Sequence, residues 1–312
     1  MYRDIDPPRP QEQERPDISR GGRVGAAVDR LPPEPAYRDV FVRDLALPQG
    51  PDRERVRHRG RDYDLRGSET RLLTTVGALR VVNAADLREP DQSARSAERD
   101  IERLRDSGLV DTFTAVVDGQ RATVLTLSED GLDLLESVRR EERSGPEQTF
   151  HAGPATPREL QHDLKVLHAY RDAADDIRAS GGRVRRVVLE RDLKREYQQF
   201  LQAPNRERRS SSGRPARDAA EITRWASERQ LPEQDGHVQF PDARVEYESA
   251  DGRLDVRDLE VVTPHYRGAH AAAKARSGFS AHRATGARIT ARHQGGRGGH
   301  GPDPRIAEDL LR

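Results

Sequence analysis

The chain acquires a helical period at Gly67. In SETRLLTTVGALRVV, Leu72, Leu73, Val76 and Leu79 fall on one helical face, and Ser68 stands where an N-cap is expected. NAADL reads as a short second helix. DQSARSAERDIERLRDSGLV then sets Ala94, Ala97, Ile101 and Leu104 on one side of a third helix that stops at Gly108. The period changes to two in DTFTAVV and ATVLTLS, which predict strands joined through Asp118-Gly119, a strong short hairpin signal. EDGLDLLESVRREER closes this unit as a fourth helix.

The Gly and Pro of ERSGPEQTFHAGPATP predict a linker over 143–157. After it, RELQHDLKVLHAYRDAADDIRASGG reads as an amphipathic helix with Leu160, Leu164, Leu167 and Tyr170 inward and Gly181-Gly182 as its stop. RVRRVVLERDLKREYQQFL begins as a strand and continues as a helix, NRERRSSSGRPARD is a polar basic loop, and AAEITRWASERQL is a short helix with the only tryptophan. FPDARVEYESADGRLDVRDLEVV alternates as a hairpin, and GAHAAAKARSGFSAH is expected to close the unit as a helix. Before residue 63 no apolar period is sustained. Residues 1–62 are therefore expected to form an extended, disordered arm, in which only DVFVRDLAL can dock as one strand or helical turn. The resulting division is a first domain over 63–142, a second over 158–282, and an Arg/Gly-rich tail over 283–312 that is expected to be disordered and able to track a nucleic-acid backbone or simply to be solvated.

Composition narrows the classes. Of 312 residues, 33% are apolar and 35% charged, so the whole length cannot be packed core. No apolar run approaches a membrane span and no signal-peptide pattern is present, which predicts a cytoplasmic chain without a membrane partner. The absence of cysteine excludes disulfides and thiolate metal sites. Formal charge sums to zero, yet Lys165, Lys194 and Lys274 are the only lysines; every other basic side chain is arginine or histidine. A GC-rich coding sequence accounts for much of that bias, while the guanidinium fork also suits phosphate. With no net positive charge, affinity for DNA has to come from a local patch.

Helix, helix, helix, hairpin, helix over some 75 residues resembles a winged helix-turn-helix domain, and LTLSEDGLDLL resembles the wing-to-helix junction of bacterial winged-helix regulators. The resemblance implies that the third helix enters the major groove of duplex DNA. Gln92, Arg95, Ser96 and Arg99 are then the candidate DNA-binding residues of that helix, with Arg bonding guanine and Gln pairing with adenine. Arg121, beside the wing turn, is the candidate for a phosphate or the minor groove. The plainer reading of the same residues pairs Arg95 with Glu98 or Glu102 on a solvated helix surface.

The second half, with PD opening one strand of its hairpin and LEVV inside the next, resembles the restriction-endonuclease-like PD-(D/E)xK core. Together with the upstream winged helix, residues 65–282 resemble the replication-relaxation family of bacterial plasmids and integrative elements. The fold class expected is α+β, a winged helix-turn-helix domain followed by a restriction-endonuclease-like α/β domain. A nuclease of that kind needs two carboxylates that share Mg²⁺ and a lysine near the phosphate.

Register decides whether the hairpin supplies the pair. A two-residue Asp251-Gly252 loop puts Asp242 and Glu260 on opposite faces; a three-residue Ala250-Asp251-Gly252 loop, with Gly252 left-handed, sets Asp242 opposite Glu260 and Arg244 opposite Asp258. The second register also gathers Ala243, Val245, Tyr247, Leu259 and Val261 on the core side and is preferred.

Asp242 and Glu260 are thus the candidate catalytic and metal-binding residues, with Glu190 as a further metal ligand and Lys274 as the charge that replaces the missing motif lysine, Val262 standing in its place. Lys165 and Lys194 are weaker substitutes. His162-Asp163 matches the His-Asp pair of metal phosphohydrolases but lacks partner histidines, so packing is the favoured role. The leading expectation is a mobile-element protein that binds double-stranded DNA and whose second domain binds or nicks it, with Mg²⁺ only if it nicks. Two rivals remain: a non-enzymatic regulator or mobilisation accessory factor that uses the second domain to form a homodimer, and a structural protein whose winged helix binds protein. No small-molecule cofactor is expected.

Overall fold

The computed structural model describes residues 39–89, 92–117, 119–140, 146–153, 157–206, 217–234, 236–262 and 277–283. The order begins well before residue 63, where the extended arm was expected to end. DVFVRDLAL docks as a helical turn, α1 (Asp39–Val42), and an antiparallel ribbon follows, β1 (Glu54–His58) and β2 (Arg61–Leu65). Both are held by burial: Phe41, Leu45, Tyr63 and Leu65 all belong to the main core. Five or six apolar residues without a period are enough when each has a pocket to fill.

Helix α2 (Gly67–Leu79) starts at Gly67, with Arg66 rather than Ser68 in the capping position. The Arg66 amide donates to Glu69 at 3.2 Å, and the Ser68 hydroxyl donates instead to Asp100 at 2.7 Å. Strand β3 (Val82–Asn83), a 3-10 turn (Ala84–Leu87) and α3 (Ala94–Asp106) come next, then β4 (Val110–Val117), β5 (Gln120–Leu127) and α4 (Glu129–Ser137). The strands form an antiparallel sheet in the order β3-β5-β4, with Val117 opposite Gln120 across the turn. α4 lies so close to Leu109 that a Cβ on Gly131 would stand 2.1 Å from the Leu109 carbonyl oxygen.

Two buried carboxylates pin this half together. Glu69 takes a bidentate pair from Arg53 at 2.6 and 3.0 Å. Asp100, in the middle of the apolar face of α3 and 1% exposed, accepts from Arg66, Ser68 and Gln92. Three donors replace the water that such a group would otherwise require.

The second half opens with α5 (Pro157–Ala179), β6 (Arg183–Leu189), α6 (Glu190–Arg206) and α7 (Ala219–Glu228). The short ribbon β7 (Glu233–Gln234) and β8 (His237–Val238) precedes β9 (Ala243–Glu248), β10 (Leu254–Val262) and β11 (Ser280–Arg283). The sheet order is β11-β10-β9-β6, antiparallel except for the parallel pair β10 and β11. Residues 280–282, expected at the end of a closing helix, are therefore strand: the helical signal of the alanine run does not reach a segment that finds a ladder on the edge of β10. Residues 268–276 of that expected helix lie outside the described residues, as do residues 1–38 and the tail from 284.

The hairpin takes the three-residue loop. Gly252 has φ 79°, Ser249 bonds across to Arg253 at 2.8 Å, and Arg244 faces Asp258. Arg244 and Asp258 form the expected pair, bidentate at 2.7 and 2.8 Å, and Arg244 also donates to the Arg229 and Gln230 carbonyls at the end of α7. Ala243, Val245, Leu259 and Val261 are buried on one face of the sheet under Leu167, Tyr170 and Ile177 of α5. The opposite face, through Val188, meets a smaller core of Leu193, Trp225, Leu231, Val238 and Phe240.

The expected linker is part of the body. Phe150 and His151 are buried, the His151 amide donates to the Gly77 carbonyl, and Gly153 donates to Leu127. Gln148 lays its side-chain amide along β6, accepting from the Val187 N–H and donating to the Val187 carbonyl, both at 2.9 Å. One hydrophobic cluster runs from Phe41 through α2, β5 and α4 to α5 and the four-stranded sheet. The β4–β5 hairpin is also anchored: Phe113, Ala115 and Val117 of β4 pack against a cluster of Val81, Val124 and, from α5, Leu160 and Leu164.

Asp100→Ala should lower stability by about 3 kcal/mol, the low end for breaking a buried ion pair, because Arg66 keeps 30% of its surface in water. Urea unfolding checks it; a loss under about 1 kcal/mol would mean the network is not what holds α3 to α2.

Candidate functional site

Helix α3 turns Ala97, Asp100 and Leu104 inward, which leaves Arg95, Arg99 and Arg103 in a row four residues apart on its exposed side. The Arg99 Nε donates to the Arg95 carbonyl at 3.2 Å. Arg88 stands exposed ahead of the helix, and Arg121 is exposed on β5 opposite Val116, which is 62% exposed. Among the described residues, no ion pair involves Arg88, Arg95, Arg99, Arg103 or Arg121. Arg95 thus makes no pair with Glu98 or Glu102.

The other two candidates on α3 are structural. The Gln92 amide donates to Asp100 at 2.8 Å and its oxygen accepts from the Glu89 amide at 3.4 Å, so both ends are engaged. Ser96 donates its backbone N–H to the Ser93 cap and accepts from Arg66. Arg88 and Arg103 were not singled out in the sequence. Arg103 was within reach, since it continues the four-residue spacing of Arg95 and Arg99.

The second cluster lies where β9 begins. Asp242 is buried; its Oδ2 accepts the Val261 N–H at 2.7 Å and lies 2.8 Å from His162 Nε2. Its backbone continues the ladders on both sides, donating to Leu259 and accepting from Glu190. The other ring nitrogen of His162 faces Asp163 at 3.4 Å, and Arg80, at the end of α2, lies 3.7 Å from Asp163. Burial pulls the His162 pKa down, but the hydrogen bonds and charges of Asp163 and Asp242 outweigh it and hold it at about 10. The imidazole between two acids is therefore a cation at neutral pH. Arg191, on α6, is lowered by burial and by the nearby Arg80 and Arg195.

Glu260 is buried one step beyond the last ladder pair, in register with Asp242. Glu190, the first residue of α6, pairs with Lys194 at 3.0 Å. Lys274 lies outside the described residues. Mg²⁺ would need oxygens with free lone pairs in near-octahedral array. Here Asp242 already serves an imidazolium and an amide, Glu190 serves an ammonium, and Arg80 and Arg191 add positive charge. Among the described residues no group of three or more His, Asp or Glu side chains is placed to hold a metal ion. Asp242 and Glu190 are thus engaged by protein partners in this arrangement.

No family model matches the chain, and no curated protein and no solved structure matches it.

The His162 contacts carry a pH signature. A histidine raised from 6.5 to about 10 contributes stability that is complete below pH 6.5 and is lost as pH rises through about 10. The urea midpoint of the parent should therefore exceed that of His162→Gln at neutral pH and converge with it by pH 10. A gap that is constant across this window would contradict the assignment.

Proposed function

We propose that this chain is a duplex-DNA-binding protein of a bacterial mobile element. Its first half acts as a winged helix, and its second half is an endonuclease-like scaffold that binds without cutting. The observation that carries the reading is the row of arginines without ion pairs on α3, flanked by Arg88 and Arg121, where most of the other described arginines are ion-paired. Supporting it, α2, the 3-10 turn and α3 precede a hairpin in a β3-β5-β4 sheet, which is the element order of a winged helix. Arg95, Arg99 and Arg103 are the residues assigned to the major groove or its phosphates, and Arg121 to the backbone beside it.

The second half supports the scaffold reading by its order. Helix α5, strand β6, helix α6 and then the β9–β10 hairpin follow in the order on which the PD-(D/E)xK resemblance rests, while the closing helix of that resemblance is replaced at residues 280–283 by the edge strand β11. Asp242 and Glu260 occupy the motif positions in the register required, while Asp242 is committed to His162. Cleavage is therefore left out of the proposal. The same α3 face also carries exposed Glu98 and Glu102, which favours a protein-binding use as the second reading.

Fluorescence anisotropy on mixed-sequence duplexes separates the two. Arg95→Ala with Arg99→Ala should weaken binding by tenfold or more, on the scale of about 1–3 kcal/mol per groove contact. Its circular dichroism should match the parent, since both side chains are exposed. Parent affinity should fall with salt, by a log–log slope of about 0.9 for each phosphate met. Salt-independent binding, or equal affinity in the double variant, would transfer the face to a protein partner. Supercoiled plasmid incubated with Mg²⁺ should be retarded and uncut.

A further inference from the structure

The first turns of α5 are gripped on two opposite sides. Leu160 and Leu164, one turn apart, share a buried cluster with Val81 and Val124, and Phe113, Ala115 and Val117 of β4 pack against that cluster. His162 stands about 200° around the helix from Leu160, and there it meets Asp242 at the mouth of β9 and β10. The Asp242 oxygen that receives the ring also receives the Val261 N–H, so the contact is to the sheet's own backbone frame. Asp163, the next residue, faces Arg80 at the end of α2. β4 is the edge strand of the β3-β5-β4 sheet, and its residues Phe113, Ala115 and Val117 pack on the cluster of Leu160 and Leu164 out to the end of the strand.

We propose that His162 is a positioning residue for the wing. Its bridge to Asp242 fixes the start of α5 on the four-stranded sheet, and Leu160 and Leu164 transmit that position to β4 and β5. The carboxylate end of the sheet thus serves as the anchor of the DNA-contacting surface instead of a metal centre. The functional half of this statement rests on the reading of the wing as a DNA contact; the geometric half does not.

The chain has no cysteine, so a label pair reports only the sites chosen for it. Val116 at the wing tip and Leu254 at the β9–β10 hairpin are 62% and 76% exposed. Spin labels on V116C and L254C give a wing-to-sheet distance by double electron–electron resonance. A narrow distribution is expected in the parent and a broadened or displaced one with His162→Gln; Asp242→Asn should do the same and serves if His162→Gln does not fold. Unchanged distributions in folded variants would overturn the proposal.

In unlabelled protein, His162→Gln should weaken duplex binding while leaving the salt slope intact, because no phosphate contact is removed. A wing correctly placed in about a tenth of molecules gives about a tenfold loss. A changed slope with an unchanged distance would make His162 a direct contact and overturn the positioning role. If the parent binds no DNA and the distance still shifts, the DNA reading falls and the positioning role stands.

Discussion

Tyr170 is fully buried on α5, its ring 5.3 Å from Phe41 of α1, at the point where the helix is in contact with both sheets' surroundings. Val166 and Leu167 share that position and belong to the same cluster as Leu73 and Val76 of α2 and Val245 and Leu259 of the four-stranded sheet. Close packing of this shared interior couples the two halves at the middle of α5. The helix thereby makes one body of what the element order presents as two modules. The segment at 146–153, stitched to α2, β5 and β6, adds a second tie.

Around that body arginine does two kinds of work. Inside the fold it acts as a planar fork: Arg53 on Glu69, Arg186 on Glu246 and Arg244 on Asp258 are each bidentate. Such pairs gain little over apolar packing, but they tolerate no loss of one partner and so specify which surfaces meet. On α3 the guanidiniums of Arg95, Arg99 and Arg103 are left to solvent. The zero net charge hides this division, because it counts paired and unpaired guanidiniums alike.

The helices α2, α3, α4 and α5 were legible because each carries an apolar stripe over several turns, and the β9–β10 register was legible because Gly252 and the Arg244–Asp258 pair act locally. Arg95 and Arg99 could be placed for the same reason. What escaped depends on partners distant in the chain. Asp100 interrupts an apolar face, and only Arg66, Ser68 and Gln92 make it a core residue. Residues 39–65 lack a period, β11 needs the edge of β10, and the role of His162 needs Asp242, eighty residues on. The carboxylates were found; the side chain that occupies one of them was not.

Gln148 has a further consequence for β6, the outer strand of the four-stranded sheet. Its amide copies the donor and acceptor of a neighbouring strand at Val187, and Arg43 takes the carbonyl of Arg185 at 3.0 Å. An unpaired strand edge is a template for another chain and an entry point for aggregation. Here one side chain and a guanidinium occupy that template without adding a strand. A protein rich in alternating β-sequence can thus remain dispersed at this border.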